Sequence, residues 1–426
     1  MIAVDRHLVK IGWNALARLG AQAWAKLLSL VLSALILRFA GAAALGHYLM
    51  ALTTVGLTLA FSDLGLSVLL TREGAKAESL RQHRRLLGDI LGLKAVLAGA
   101  GTLLVVALAP VLPFSAETRR LIPIGALMLV PDALTAGVHA SLNARRQMDT
   151  SSLITGIARF AAAAGILGSL LSGGSVARLI GWQVFASLLG AGISFWILWQ
   201  QGAWPEFGLV DLSRGRRWLA YLRESLPFAL TGAISMLYRR LDLLLLGSWS
   251  GELVAGWYGA ATRLWEAVHL LPSSLLDAFF PEMSRWAKQD AGRRRLHRLL
   301  LPVGVGMLVV GSGLALAGAV GGRTALRLIY GAELAPATIK TWHVLVGAVP
   351  AVFLYLLGGH TLYAVGAQGV VTVRMVIVAV VNTALNVLLI GRWRHLGAAT
   401  ALLVSEWLLC LLLFPKAWRM TGDGDA

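Results

Sequence analysis

The stretch YGAATRLWEAVHLLP (258–272) is mostly apolar, yet it holds Arg263, Glu266 and His269. A charged side chain in hydrocarbon is costly, so an arginine there faces either a partner or a wet cavity. A guanidinium presents a rigid fork of N–H donors that suits phosphate and carboxylate oxygens. Glu266, one turn on, could close an ion pair with Arg263 or compete with an anion for it. On a helix turning about 100° per residue, Arg263, Glu266, Leu270, Ser274 and Asp277 share a face, with Pro272 as a bend and His269 pointing elsewhere.

Similar stripes recur. Gln22, Lys26, Ser29 and Ser33 form one, Lys26 lying too deep to snorkel to an interface. Ser152, Thr155 and Arg159 form another. In YRRLD, Arg239 and Asp242 are three apart and positioned to pair, which leaves Arg240 pointing away. The deep cations Lys26, Lys94, Arg159, Arg239, Arg240 and Arg263 outnumber the deep acids Asp63, Asp132, Asp242, Glu266 and Glu406. That balance suits a water-filled cationic cavity for a phosphate or pyrophosphate. A second reading stays open: Arg239–Asp242 and Arg263–Glu266 are ion pairs that only hold helices together. Lys26 has no acid within a turn, which favours a cavity role. The lone acids Asp132 and Glu406, and Asp242 with them, are candidates for proton coupling, although a buried acid can also sit protonated without a function. His343 and His360 lie near span ends and read as interfacial; His139 near Asn143 carries no stronger signal.

The elements that must position these residues are transmembrane helices. The chain is 57% hydrophobic and 14% charged, with mean hydropathy +0.73, against about 25% charged in soluble proteins. Its net charge of +17 sits in short loops between apolar runs, which fits membrane orientation and not nucleic-acid binding. Windows of roughly 20 apolar residues predict twelve spans. They are Leu19–Phe39, Leu45–Leu70, Leu86–Leu112, Leu121–Leu142, Leu153–Leu171, Leu179–Trp199, Leu226–Trp249, Leu253–Phe280, Leu299–Val320, Thr341–Val365, Val370–Ile390 and Leu396–Phe414. With the N-terminus inside, inside segments hold 22 lysines and arginines and outside loops hold 8, which predicts cytoplasmic termini. Apolar character begins near Ile11 and runs into a full span, so no cleavable signal is expected.

The expected architecture is all-α and integral to the membrane, with two six-helix lobes. An N-terminal lobe covers 1–199, a polar cytoplasmic linker 200–224, and a C-terminal lobe 225–426. The halves echo each other at an offset of 210: Gly46, Tyr48 and Ala51 match Gly256, Tyr258 and Ala261, and Arg84-Arg85-Leu86 matches Arg294-Arg295-Leu296. Duplicated bundles are common among secondary transporters. One cysteine, Cys410, excludes a disulfide framework, and no GxxxxGK[ST] loop offers a nucleotide site. No cofactor is expected, and a carrier fits better than an enzyme.

The segment RLDLLLLGSWSGELVAGWYGAATRLWEAVHLLPSSLLDAFFPEMSR (240–285) resembles the signature of polysaccharide-transporter proteins, the Wzx-type oligosaccharide flippases of the MOP exporter superfamily. FAGAAALGHYLMALTTVGLTLAFSDLGLSVLLTRE, SLNARRQMDTSSLITGIAR and VNTALNVLLIGRWRHLGAATALLVSEWL extend the resemblance over essentially the whole chain. It implies a V-shaped bundle around a central cationic cavity in the bacterial inner membrane. It also implies movement of undecaprenyl-pyrophosphate-linked oligosaccharide to the periplasmic leaflet by alternating access, with polysaccharide polymerase or assembly proteins as partners. By the resemblance Arg263 is a head-group ligand, with Lys26 matching a span-one cation more loosely; Arg159 and Arg240 join them as binding candidates, with Glu266 restraining Arg263. The related lipid II flippases carry an arginine early in span two, where this chain reads GHYLMALTTV without one. Asn382, Asn386 and Thr58 are offered as glycan contacts. The rivals are a drug or organic-cation antiporter, which needs acids where cations prevail here, and a non-transporting scaffold of a polysaccharide-assembly complex.

Overall fold

The computed structural model describes residues 2–206, 212–331 and 336–422; the side chains of residues 2–26, 212–214, 230, 231, 233, 235, 239 and 290 lie outside that description. Among the described residues the chain is helical throughout, without a strand. The first half holds α1 (Ile2–Asp63), α2 (Leu66–Gly74), α3 (Leu80–Leu108), α4 (Ala116–Ala126), α5 (Leu129–Ala144), α6 (Met148–Leu171) and α7 (Val176–Gln200). The second holds α8 (Leu212–Ser250), α9 (Glu252–Val268), α10 (Leu270–Ala287), α11 (Asp290–Tyr330), α12 (Pro336–Val346), α13 (Val349–Ala364) and α14 (Gln368–Gly422).

Among the described residues, six helices are long and apolar enough to cross a membrane, or up to eight if the bent pairs α4–α5 and α12–α13 each count as one span. Twelve crossings were expected. Two of the six are interrupted where adjoining expected spans meet: α1 at Gly41 (φ 87°, ψ 172°) and α14 at Arg394 (φ 48°, ψ −124°). The remaining expected spans fall on α8, whose apolar part carries Arg239, Arg240 and Asp242, and on α9 with α10, of 17 and 18 residues. Large apolar side chains such as Leu103, Val309, Leu316, Leu388 and Leu411 are exposed along these helices. That would be costly in water and is free in lipid.

By packing, the chain divides into two compact units, 47–240 and 1–46 with 241–426. This division puts the first part of α1 with the second half, and residues 212–240 of α8 with the first, where the expected lobes followed chain order. In unit 47–240, α5 packs on α2, α3 and α7, and α6 on α7, around Leu69, Leu87, Leu91, Val138 and Leu142. Part of the expected linker is helix: residues 212–224 open α8. It docks on this unit through Arg217 Nε to Asp89 Oδ2 (3.0 Å) and an Arg72–Glu224 ion pair, while the Glu206 N–H donates to Arg84 O at 3.1 Å. In the other unit, α13 packs on α10, α11 and α14, and α9 on α12.

The internal repeat is written in the backbone. Gly41 and Gly251, 210 residues apart, take the same left-handed conformation (φ 87° and 86°), which costs glycine little. From α4 onward the offset is 220. α4 and α12 both have 11 residues, α5 and α13 both 16, and both pairs bend by 44°. The turns that follow also match: Gln147 N–H donates to Leu142 O (2.9 Å), as Ala367 N–H does to Leu362 O (2.8 Å). The matched glycines Gly46 and Gly256 bring α1 and α9 into backbone contact. A Cβ on Gly46 would overlap the Glu252 carbonyl oxygen, and one on Gly256 would overlap that of Ala42. Since Ala42 and Glu252 are themselves repeat mates, the crossing is a pseudo-twofold, with small residues allowing close approach as in membrane helix pairs generally.

Candidate functional site

Arg263 lies on the second turn from the end of α9, just after the tight α1 crossing. Its Nη1 donates to Glu266 Oε2 at 2.9 Å, and the two side chains keep 17% and 36% of their surface exposed. The Tyr330 hydroxyl at the end of α11 donates to Ala260 O (2.7 Å), which fixes the turn before Arg263. The break after Val268 is mild, since His269 stays in the helical region, and its ring meets Trp265 edge-on at 4.2 Å.

Asp242, near the end of α8, is buried. Its Oδ1 accepts from the Leu243 N–H at 2.7 Å and its Oδ2 from the Tyr258 hydroxyl of α9. These donors clamp the carboxylate as a joint between α8 and α9, across the Gly251 break. The expected Arg239 partner and Lys26 have side chains outside the described residues. Arg240 is half-buried. Glu406 is buried on α14 beside a network in which Asn382 Nδ2 donates to Ser405 Oγ (2.9 Å) and Asn386 Nδ2 to Asn382 Oδ1 (2.9 Å). Asn382 and Asn386 are thus buried and bonded to each other, a poor position for meeting a glycan. The Thr58 hydroxyl donates to Thr54 O at 3.0 Å, within its own helix.

In the other unit, Arg159 on α6 is exposed and has no hydrogen bond or ion pair among the described residues. The hydroxyls sharing its stripe turn inward, Ser152 donating to Met148 O (2.8 Å) and Thr155 to Ser151 O (3.0 Å). Asp132 on α5 is half-buried within reach of the Ser187 hydroxyl of α7. Lys94, counted among the deep cations, is fully buried and neutralised by Asp63, with Ser67 Oγ at 2.9 Å; the Ser67 hydroxyl also lies 2.6 Å from Asp63 Oδ1.

Sequence reasoning missed the contacts between helices, Lys94–Asp63 and Tyr258–Asp242 among them. His360 on α13, read as interfacial, meets Asp277 on α10 at 3.1 Å. The two are 83 residues apart, so no periodicity within one helix pairs them.

Residues 11–287 match the family of polysaccharide biosynthesis proteins. The chain belongs to that family. No curated protein matches it in sequence. Among solved structures it is similar to the lipid II flippase MurJ in an inward closed conformation, with TM-score 0.76 and 16% identity over 94% of this chain and 89% of that one. It is also similar to an inward-facing multidrug resistance MATE family transporter of the MOP superfamily, with TM-score 0.72 and 12% identity over 97% and 100%. A third is a MOP superfamily transporter from Pyrococcus furiosus described as having a binding pocket of reverse polarity, with TM-score 0.64 and 12% identity over 96% and 94%. At these identities the likeness is one of fold. The family member is therefore a multi-pass, all-α membrane protein built on the fold of the MOP superfamily.

Proposed function

We propose that this chain is a flippase of the bacterial inner membrane, with both termini cytoplasmic. It would carry an undecaprenyl-pyrophosphate-linked oligosaccharide from the cytoplasmic to the periplasmic leaflet for surface polysaccharide assembly, as a carrier and not an enzyme. The supporting observation is Arg263: a guanidinium inside a polysaccharide-biosynthesis protein, held by one carboxylate yet still partly exposed. Pyrophosphate offers more acceptor oxygens than Glu266 and carries more charge, so it can displace the carboxylate. Arg159, Arg240 and Lys26 are the further binding candidates from sequence, Arg159 being exposed and unpaired among the described residues. Arg263 passing between Glu266 and pyrophosphate drives transport only if substrate binds the two access states unequally. Asp132, Asp242 and Glu406 are the coupling candidates from sequence; the clamped Asp242 suits a structural joint better than a titrating group.

The test uses purified protein in liposomes and follows a short-chain polyprenyl-pyrophosphate oligosaccharide between leaflets. Wild type should flip it, and Arg263→Ala and Lys26→Ala should not, at equal folded amounts. Normal flipping by Arg263→Ala would remove the residue from the mechanism. Cation efflux without flipping by wild type would make the chain an antiporter.

A further inference from the structure

We propose that Asp277 and His360 form a one-proton site that ties α10 to α13, and that its proton couples to transport; the coupling rests on the flippase reading, the proton site does not. The argument begins with hydrogen-bond donors. His360 Nδ1 lies 2.8 Å from Leu356 O, a backbone carbonyl that can only accept, so Nδ1 carries a hydrogen. His360 Nε2 lies 3.1 Å from Asp277 Oδ1. With Nδ1 already protonated, a neutral ring presents a lone pair at Nε2, and an ionised carboxylate presents lone pairs as well. Two acceptors do not hold each other at this distance. One further proton, on Nε2 or on the carboxyl, makes the bond in either case. Removing it leaves two facing lone pairs and takes away that tie between the helices.

The surroundings isolate the pair. Among the described residues Asp277 is the one charged side chain in contact with His360. The helices packed on α13, namely α10, α11 and α14, bring no other ion pair to either group, and the Phe280 ring meets the imidazole edge-on at 6.0 Å. His360 is 15% exposed and Asp277 47%, so the Asp277 carboxylate is the more open end of the pair. His47 Nε2 also meets an acid, Glu117 at 3.3 Å, but its Nδ1 faces the Thr118 hydroxyl, which can donate, so a neutral ring serves both contacts. Two others differ further. His83 Nε2 meets the Ser141 hydroxyl at 2.7 Å, which can donate to a neutral ring. His343 faces two backbone carbonyls and no acid.

The repeat shows that the fold does not require this pair. The residues matching Asp277 and His360 in the first half are Ser67 and Ala140. There α2 packs on α5 as α10 packs on α13, with the Thr71 hydroxyl 3.3 Å from Ala140 O and no proton-dependent contact. The proton site is therefore an addition to one half. It sits on α10, which continues from the Arg263–Glu266 helix α9 after the His269 break, so a proton leaving Asp277 and His360 removes one tie on the helix that follows the anion site.

The experiment uses the full chain in lipid nanodiscs with 15N-labelled histidine. The His360 signal is assigned by its loss in His360→Gln. Wild type should show a His360 bond to Asp277 that breaks as the pH is raised and one proton leaves, and Asp277→Asn should abolish that step. A singly protonated His360 with no such bond at any pH would overturn the site. In liposomes bearing a pH gradient, the ratio of flipping rates with and without the gradient should exceed unity for wild type and fall to unity in both variants. An unchanged ratio in folded His360→Gln would overturn the coupling. Absence of flipping by wild type, with the NMR step intact, would overturn the flippase reading and leave the proton site standing.

Discussion

Replacing Arg263 by alanine separates binding from stability because the structure makes the two effects unequal. The Arg263–Glu266 pair is an i,i+3 contact with both side chains partly exposed, a type worth about 0.3–0.5 kcal/mol. Its loss should barely move the melting temperature. A guanidinium bonded to pyrophosphate makes charge-assisted bonds worth about 1.5–3 kcal/mol each. Removing a fork of two should then weaken head-group binding on the order of 100-fold. Arg263→Lys keeps the charge and loses the fork, for a loss of about tenfold. Glu266→Gln removes the competitor and should tighten binding by about twofold, the equivalent of the pair energy. Since Glu266 acts through Arg263, Arg263→Ala/Glu266→Gln should bind like Arg263→Ala alone. The assay is titration of nanodisc-held protein with a short-chain polyprenyl pyrophosphate, with thermal unfolding run in parallel. Binding by Arg263→Ala within twofold of wild type would refute the reasoning. So would a Glu266→Gln variant as weak as Arg263→Ala, which would make the pair a structural strut.

Asp63→Asn strands the fully buried Lys94 and should cost about 3–5 kcal/mol. Lys94→Met should cost less, because Asp63 keeps 26% of its surface exposed, and the double variant should recover much of the loss; unfolding in detergent ranks the three. Gly256→Val drives a side chain into the Ala42 carbonyl and should separate α1 from α9 with gross destabilisation, while Gly99→Ala, which meets open space, should be silent in the same unfolding measurement. Tyr258→Phe takes one of two observed donors from buried Asp242 and should cost about 1–3 kcal/mol; an unchanged melting temperature would show that Asp242 is not the clamp between α8 and α9.

Much of the fold was legible because apolar runs and charged loops are local signals. Spans such as Leu153–Leu171 and Leu179–Trp199 fall on α6 and α7 nearly end to end. Breaks were harder. Nothing in FAGAAALGH separates a loop at Gly41 from a kinked continuous helix, since glycine permits both. The site was legible only where partners share a helix. Arg263 and Glu266 are three apart and meet as helical geometry requires. Lys94 and Asp63 are 31 residues apart, so a residue counted as cavity charge is in fact already paired. For Asp277 and His360 a signal did exist: aligning the two halves sets them against Ser67 and Ala140, so ionisable residues stand in one half where the other has none.

That asymmetry argues about mechanism. A duplicated bundle with identical polar contacts in both halves would respond to a ligand in the same way on both sides, and nothing would distinguish the direction of movement. Here the halves keep the Gly41 and Gly251 breaks and the lengths of α4–α5 and α12–α13, and differ in what holds equivalent helices. Around Ser67, charge is neutralised by Lys94 and Asp63 inside one compact unit, a contact needing no substrate. At the equivalents of Lys94 and Asp63 stand Gly304 and Ser273, without charge, and the ionisable group moves to Asp277. There its bond to His360 needs a proton, and the adjoining α9 carries a guanidinium that an anion can claim from Glu266. Moving Asp277 and His360 into the first half, as Ser67→Asp with Ala140→His, while reverting the second half to Asp277→Ser with His360→Ala, tests whether the placement matters. A folded protein whose pH-gradient response survives that exchange with unchanged sign would show that direction does not come from which half holds the proton.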